Sequence, residues 1–218
     1  MDLLNSLILR GYLKTPSIID AFYAIKREDF LPEEMKYQAD INAPLPIGWG
    51  QTISQPLTVA FMMELLQPKV GDKILDVGAG SGWVSALLGY IVSGGGKSEA
   101  NSLASRDLAQ PDKSKILPLR GILRSETNSK HENVEGKVYA VEIVPKLCES
   151  GRENISKYNF IEKGIVEHIC GDATKGFPQY APFDKIHAAA AGEDVPRSWK
   201  EQLKIGGRIV APVKSSVW

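Results

Sequence analysis

The chain has 218 residues, of which 43% are hydrophobic and 24% charged, as expected for one soluble globular domain rather than two large ones. Its 26 lysine and arginine residues balance its 26 aspartate and glutamate residues, so the formal net charge is zero. Non-specific binding to nucleic acid or to a membrane surface usually needs a basic excess, so we expect neither kind of partner.

The start of the chain shows no sign of a targeting segment. Residues 1–10 have an acidic second position and no long apolar core, unlike a signal peptide. No stretch reaches the roughly 18 apolar residues of a membrane span. Without an export signal, Cys148 and Cys170 are expected to be reduced, partly buried thiols of a cytoplasmic protein. No pair of histidines has i+3 or i+4 spacing, so no metal site is predicted.

Two short helices and a long loop are predicted in the N-terminal part. The first helix, within residues 2–10, follows from helical spacing of its apolar residues and stops at Gly11. The second follows Thr15, the predicted N-cap, and has Pro16 at its first position. Residues 30–52 are rich in proline and glycine, so we expect a long shaped loop without regular elements.

Helices and strands alternate in the rest of the chain. The predicted helices cover residues 56–66, 83–91, 145–157 and 196–203, and the predicted strands cover 73–77, 138–141, 165–169, 185–188 and 207–213. This alternation predicts an α/β fold with a mostly parallel, doubly wound sheet and helices on both faces. Ligands of such sheets bind beyond the carboxyl ends of the strands, so we expect the chemistry in the loops that follow them.

One polar segment interrupts the alternation. Residues 93–136 open with Ser-Gly-Gly-Gly and have no sustained apolar period, which predicts a largely disordered surface insertion. A partner-binding segment is the alternative. The chain is therefore predicted to be one domain, 1–218, in which residues 1–55 form N-terminal helices and a loop. Residues 56–92 and 137–218 form its core.

A glycine-rich turn follows the first strand of the core. Residues 74–82 read Ile-Leu-Asp-Val-Gly-Ala-Gly-Ser-Gly. Glycine is needed where φ is positive and where backbone must approach a ligand closely. The G-x-G-x-G spacing differs from the G-x-G-x-x-G of dinucleotide sites. Together with Asp76, the turn resembles motif I of class I methyltransferases, which bind the amino-acid end of S-adenosylmethionine (SAM) there.

Acidic residues follow the next two strands. Glu142 stands at a strand end, where a carboxylate can accept both hydroxyls of a ribose. It lies further from the glycine turn than the usual about 20 residues, and the insertion accounts for the excess. Asp172, in Cys-Gly-Asp-Ala, resembles the position whose aspartate reaches the adenine amino group. For each residue, a carboxylate placed at a helix N-terminus is the alternative.

The segment before the glycine turn narrows the resemblance to one family. Residues 43–56 read Ala-Pro-Leu-Pro-Ile-Gly-Trp-Gly-Gln-Thr-Ile-Ser-Gln-Pro and closely resemble the signature of protein-L-isoaspartate O-methyltransferases. Residues 26–32, 181–186 and 206–213 are similar to the same family in order and spacing. The resemblance covers nearly the whole chain apart from the insertion. Its Gly-Gln-Thr-Ile-Ser-Gln-Pro run is highly specific, whereas the glycine turn is specific only to the superfamily.

The resemblance implies a Rossmann-like class I methyltransferase fold with an N-terminal helical extension. It also implies transfer of a methyl group from SAM to the free α-carboxylate of L-isoaspartyl residues in damaged proteins, which leaves S-adenosylhomocysteine and initiates repair. A carboxylate with a pKa of about 4 is already ionised at neutral pH, so neither a general base nor a metal is required. The implied partners are isoaspartyl-containing proteins and peptides, and we expect a monomer.

The resemblance also assigns site residues. Ser54 is placed beside the acceptor carboxylate and the methyl donor, with an ordinary helix N-cap as the alternative. The acceptor peptide is assigned to Pro46, Ile47, Gly48, Gln51 and Ser54. The donor is assigned to Thr52, Ile53, Asp76, Gly78, Gly80, Gly82, Glu142 and Asp172.

Two features depart from the family pattern. The insertion is longer than expected, and the sequence stops at Trp218, where family members continue with an antiparallel hairpin that completes the sheet. We therefore expect that C-terminal hairpin to be missing. The alternatives are a SAM-binding scaffold of this family without turnover and a methyltransferase for another acceptor, such as a small molecule or RNA. An NAD-dependent oxidoreductase is the most distant alternative, because the glycine spacing is wrong.

Overall fold

The computed structural model describes residues 2–95, 136–214 and 216–217. The predicted insertion, 93–136, therefore lies almost wholly outside the described residues. The helices are α1 (Leu3–Leu9), α2 (Pro16–Ala24), α3 (Pro56–Leu66), α4 (Trp83–Val92), α5 (Pro145–Ser156) and α6 (Arg197–Glu201). The strands are β1 (Leu45–Gly48), β2 (Gln51–Ile53), β3 (Lys73–Val77), β4 (Lys137–Glu142), β5 (Val166–Cys170), β6 (Phe183–Ala188), β7 (Leu203–Val210), β8 (Pro212–Val213) and β9 (Ser216–Val217). No helix in these ranges is long and apolar enough to cross a membrane.

A parallel sheet forms the centre of the fold. Within the described ranges it has five strands in the order β5-β4-β3-β6-β7, and each neighbouring pair is parallel. The chain leaves β3, builds β4 and β5 on one side, and returns to build β6 and β7 on the other. The order therefore reverses beside β3, which is where an open α/β sheet forms its ligand crevice. The predicted α/β Rossmann-like fold is confirmed.

The sheet separates two hydrophobic layers, because successive residues of a strand face opposite sides. Ile74 of β3 packs in the layer that holds the buried residues of helices α1 to α5. Leu75 and Val77 face the other layer, which is covered by Trp199 of α6 and by Tyr180 of a short 3-10 helix. Both faces are covered as predicted, but the second is covered by much shorter segments than the first.

Two predicted elements need correction. The loop at 30–52 contains regular pieces, namely the 3-10 helix Glu33–Gln38 and the antiparallel β1–β2 hairpin. Its proline and glycine residues predicted an irregular loop, but the glycines form the turn of this hairpin, where φ is positive at Gly48, Trp49 and Gly50. Another 3-10 helix, Arg27–Phe30, ends where the predicted loop begins. The predicted helix at 196–203 is only the five residues of α6, because Leu203 already begins β7.

The C-terminal part also differs from the prediction. β7 begins at Leu203 and ends at Val210, rather than covering 207–213. The described residues add no antiparallel strand to the central sheet. Instead, β8 and β9 form a separate two-stranded ladder in which Pro212 lies opposite Val217. This antiparallel pair is short and does not complete the sheet.

The N-terminal helices are fixed to the core by Glu64 of α3. Its carboxylate accepts hydrogen bonds from the backbone N–H groups of Lys14 and Thr15, at 2.7 and 2.8 Å, and from the Thr15 hydroxyl at 2.7 Å. Burial alone would raise the pKa of Glu64, but these bonds outweigh it and lower the pKa. Thr15 is the N-cap of α2, as predicted, yet its side chain bonds to Glu64 and does not cap the helix.

The expectation of reduced cysteines is wrong in this structure. Cys148 of α5 and Cys170 at the end of β5 form a disulfide. Their Cα atoms lie 5.6 Å apart, inside the range that a disulfide spans. The pairing arises because α5 runs back along β5, a tertiary contact that the spacing of 22 residues does not reveal.

We therefore expect thiol titration of the unfolded, unreduced protein to find no free thiol. Replacing both cysteines with serine should lower the free energy of unfolding by about 3 kcal/mol, because the cross-link restricts the unfolded chain. Urea denaturation of the variant beside the wild-type protein measures this loss. Two reactive thiols per chain in freshly purified protein would contradict the pairing.

Candidate functional site

A cleft opens beyond the carboxyl end of β3, between the glycine turn and the β1–β2 hairpin. Its wall includes predicted site residues from both segments, namely Thr52, Ile53, Ser54, Gly78 and Gly80. The remaining lining residues are Ala79, Ser81, Trp83, Val84 and Ala189. The fold therefore brings together residues that are more than twenty positions apart in the sequence, at the crevice where parallel sheets bind ligands.

The glycines of the turn serve different purposes. Gly78 and Gly80 have φ of +77° and +55° and lie in the cleft wall. A Cβ atom at Gly80 would lie 3.6 Å from Cδ1 of Ile47, so it would fill the gap between turn and hairpin. Gly82 packs against α5 instead, where a Cβ atom would lie only 2.7 Å from Cγ1 of Ile155. Gly82 thus supports the turn without lining the cleft.

Asp76 lies beneath the cleft and not in its wall. Its side chain is fully buried, with Oδ1 2.7 Å from Nδ1 of His187 and Oδ2 accepting a hydrogen bond of 2.5 Å from the Ser85 hydroxyl. These bonds connect β3 to β6 and to α4, and they satisfy a carboxylate that would otherwise be costly to bury. The predicted donor residue Asp76 therefore shapes the turn from below.

Glu142 is brought directly to the glycine turn. It is 5% exposed, and its two oxygens accept hydrogen bonds from the backbone N–H groups of Gly80, at 2.7 Å, and Val144, at 2.9 Å. Val144 is the N-cap of α5, so the alternative placement at a helix start holds as well. Each carboxylate oxygen retains a second lone pair, which leaves acceptor capacity for hydroxyl groups of a ligand.

Asp172 stands apart from these residues, exposed beyond the end of β5. Its Oδ1 accepts a hydrogen bond of 2.8 Å from the N–H of Thr174, and bonding to Thr174 lowers the pKa of Asp172. The carboxylate closes a turn rather than starting a helix. The structure brings it to the same edge of the sheet as Glu142, since β4 and β5 are neighbours.

The predicted acceptor residues of the hairpin differ in their exposure to solvent. Ile47 is buried and points toward the glycine turn, whereas Pro46, Gly48 and Gln51 are exposed. Trp49 stands at the tip with 64% of its surface exposed. The strand alternation explains this difference, because neighbouring residues of a strand face opposite sides.

Ser54 is half-buried in the cleft wall. The alternative of an ordinary N-cap is wrong, because the N-cap of α3 is Gln55 and makes no side-chain capping bond. Asn42 supplies the cap instead, with Oδ1 accepting from the N–H of Leu57 at 3.0 Å. Within the described part of the chain, the Ser54 hydroxyl makes no hydrogen bond and is available to a ligand.

Two further residues of the site carry no clear sequence signal. Trp83 lines the cleft, and its indole N–H is buried without a partner among the residues described here. Arg27 lies behind it, with its guanidinium carbon 5.5 Å from the centre of the Trp83 ring. Arg27 belongs to the run 26–32 that resembles the family, but nothing in the run distinguishes it from the neighbouring charged residues.

The side chains that line the cleft are uncharged. None of the described residues that line it has a carboxylate, imidazole, thiol or amine side chain. The described ranges also contain no cluster of three or more His, Cys, Asp or Glu side chains that could hold a metal ion. Small residues and backbone dominate the wall, with the Glu142 carboxylate close behind it. This arrangement suits a reaction that needs placement of two groups more than it needs proton transfer.

The sequence matches the family model of protein-L-isoaspartate(D-aspartate) O-methyltransferase over residues 1–103 and 128–217. The residues between the two matched parts, 104–127, lie inside the predicted insertion. Relatives named protein-L-isoaspartate O-methyltransferase include one from Aeropyrum pernix, 37% identical over 203 residues, which cover 93% of this chain and 62% of the relative. One from Methanopyrus kandleri is 36% identical, with coverage of 93% and 71%.

Two solved structures are similar to this chain over nearly its whole length. A structure titled protein-L-isoaspartate O-methyltransferase is 26% identical, with a TM-score of 0.68, over 97% of this chain and 54% of that chain. One from Plasmodium falciparum, titled as putative and in complex with S-adenosyl-L-homocysteine, has a TM-score of 0.68 at 20% identity, over 98% and 84%. The second shows the fold alone. This chain thus spans little more than half of one related structure and 62% of one curated relative. The chain belongs to the protein-L-isoaspartate(D-aspartate) O-methyltransferase family.

Proposed function

We propose that the chain is a SAM-dependent protein carboxyl methyltransferase that acts on the free α-carboxylate of L-isoaspartyl residues in damaged proteins. The main support is the cleft itself, in which Ser54 and the hairpin face the glycine turn. None of the described residues that line it has a carboxylate, imidazole, thiol or amine side chain. Family membership supports the same substrate. When bound, SAM supplies a methyl group that the positive charge on its sulfur has already activated for transfer.

The donor side of the cleft fits SAM. Gly78 and Gly80 keep side chains out of the wall, so the backbone is open to the amino-acid end of a ligand. Glu142 has acceptor capacity left for the ribose hydroxyls, and Asp172 is exposed for the adenine amino group. The Plasmodium falciparum structure has the same fold and is titled as a complex with S-adenosyl-L-homocysteine, which favours SAM as the donor of this chain.

The acceptor side needs to place a carboxylate and exclude water. An isoaspartyl α-carboxylate is ionised at neutral pH, so one of its oxygens attacks the methyl carbon without a general base. The Ser54 hydroxyl is free to donate to the other oxygen, and the buried Ile47 and Trp83 exclude water nearby. The carboxylate oxygen gains the methyl group, and S-adenosylhomocysteine leaves with both electrons of the broken bond.

The product ester explains how methylation initiates repair. Methoxide leaves a carbonyl carbon far more readily than the oxide of a carboxylate does, so the neighbouring backbone nitrogen attacks the ester carbonyl, closes a succinimide and expels methanol. Hydrolysis of the succinimide then returns part of the chain to normal aspartate. The proposed partners are therefore isoaspartyl-containing proteins and peptides. We further propose that the chain acts as a monomer and binds neither nucleic acid nor a membrane.

We also place this activity in the cytoplasm, where isoaspartyl damage in the cell's own proteins accumulates. The balanced charge of the chain is compatible with this location. The Cys148–Cys170 disulfide argues against the cytoplasm, because disulfides are uncommon in that compartment except in hyperthermophiles.

The function is tested by transfer of a labelled methyl group from SAM to an isoaspartyl peptide, beside the same peptide with normal aspartate. We expect base-labile label on the isoaspartyl peptide only. Ser54→Ala should lower kcat/KM for this peptide by about tenfold, since it removes one hydrogen bond to a charged group, and leave S-adenosylhomocysteine binding unchanged. Binding without transfer to any acceptor would contradict the proposal and favour a scaffold without turnover.

A further inference from the structure

Arg27 is a buried arginine that contacts the backbone on both sides of the β1–β2 hairpin. Its side chain is 7% exposed. Nη1 donates to the carbonyls of Ala39 and Ile41 at 2.9 and 3.0 Å. Nη2 donates to the carbonyls of Ala43 and Ser54 at 2.8 and 3.2 Å. One guanidinium thus joins the segment that leads into the hairpin to the residue that follows it.

This contact fixes the orientation of Ser54. A trans peptide is planar, so holding the Ser54 carbonyl also sets the plane of the Ser54–Gln55 peptide. Asn42 strengthens the same junction, because its carbonyl accepts from Nε2 of Gln55 at 3.0 Å and its Oδ1 caps α3. The position of Ser54 in the cleft is therefore determined from behind by Arg27 and the 39–43 segment.

An arginine suits this position better than a lysine. Burial lowers the pKa of Arg27 to about 10, which still leaves it charged at neutral pH. A buried charge is costly unless it is hydrogen-bonded, and backbone carbonyls satisfy both of its terminal nitrogens. The planar fork of donors reaches carbonyls in several directions, whereas the single ammonium of lysine does not.

Arg27 also contacts the cleft wall from behind. Its guanidinium lies over the ring of Trp83, a residue that also lines the cleft. Both residues line a separate cavity of about 140 Å³, together with Asp40. Nε of Arg27 and Nε1 of Trp83 are buried without a partner among the described residues. Arg27 therefore acts on the acceptor segment and the wall while standing outside the cleft.

We propose that Arg27 is a positioning residue for the acceptor, which holds Ser54 and the hairpin in the arrangement that receives the isoaspartyl carboxylate. This inference rests on the proposed function. It also predicts that Arg27 influences the donor less than the acceptor, because the glycine turn is held by different bonds, those of Glu142 to Gly80 and Val144.

The test is Arg27→Lys, with Arg208→Lys as the matched control. Arg208 also donates to a backbone carbonyl, that of Leu65 at 2.9 Å, but neither residue lines the cleft. We expect Arg27→Lys to lower kcat/KM for an isoaspartyl peptide by about 100-fold, as a small misplacement of a reacting group can. The Kd of S-adenosylhomocysteine should change far less than kcat/KM, and Arg208→Lys should retain both values.

A second variant separates positioning from folding. In Arg27→Ala, added guanidinium ion should enter the space of the lost side chain, which adjoins the cavity, and restore part of the peptide kcat/KM. The same addition should not raise the activity of the wild-type protein.

The outcomes separate the inference from the function on which it rests. A wild-type protein that fails to methylate the peptide would refute the proposed function. An active wild type with an equally active Arg27→Lys would refute only the role of Arg27. A loss of donor binding in parallel with the loss of activity would overturn the role too, because Arg27 would then support the whole fold.

Discussion

Replacing Glu142 with alanine is expected to weaken the binding of S-adenosylhomocysteine by about 100-fold or more. Hydrogen bonds to a charged group each contribute about 1.5–3 kcal/mol, and about 1.4 kcal/mol corresponds to tenfold in affinity. The variant loses the carboxylate that holds the N–H of Gly80 and fixes the glycine turn. It also loses the proposed acceptor for both ribose hydroxyls, so the turn and the ligand are affected together.

Titration calorimetry with S-adenosylhomocysteine measures this effect. Glu149→Ala is the matched control, because Glu149 is a glutamate of α5 whose exposed side chain pairs only with Lys146 in the described residues. The control should bind as tightly as the wild-type protein. Equal affinity of the Glu142→Ala protein and the wild type would contradict the assignment of Glu142 to the donor.

Replacing Gly82 with alanine is expected to lower the free energy of unfolding by about 3 kcal/mol. Part of the loss is the cost of a side chain in the left-handed region, since φ is +89° there. The larger part is overpacking, because the new Cβ would lie 2.7 Å from Cγ1 of Ile155 and 2.9 Å from the Gly151 carbonyl oxygen. A backbone oxygen cannot move aside as a flexible side chain can, so α5 must shift.

Gly48→Ala isolates the packing part of this effect. Gly48 has nearly the same φ, +88°, but a Cβ atom there would meet nothing within 4 Å. The Gly48→Ala protein should therefore lose only the conformational cost, about 1 kcal/mol of its free energy of unfolding. Urea unfolding of both variants gives the comparison. Equal losses at the two glycines would show that close packing against α5 is not what Gly82 provides.

The parallel sheet and the place of the cleft follow from the sequence because they depend on local patterns. Apolar periodicity predicts the strands around Leu75 and Val141, and parallel strands leave one common edge for a ligand. The glycine turn predicts where backbone comes close to that ligand. These features need no knowledge of distant contacts.

The roles of individual side chains were harder to predict, because they depend on direction and on distant partners. Asp76 shares the strand face of Ile74, so it points into the layer of α4 and bonds to Ser85 rather than facing the cleft. The Cys148–Cys170 bond and the contact of Arg27 with Ser54 each join elements that meet only in the folded chain. No spacing rule connects such residues.

The central claim is best tested by following an isoaspartyl peptide by chromatography and mass spectrometry while it is incubated with SAM and the protein. The peptide should gain the mass of one methyl group, pass through a succinimide, and accumulate as the normal aspartyl form. The peptide without SAM should stay unchanged. If the isoaspartyl peptide persists unmodified although S-adenosylhomocysteine binds to the protein, the proposed repair activity of this chain is wrong.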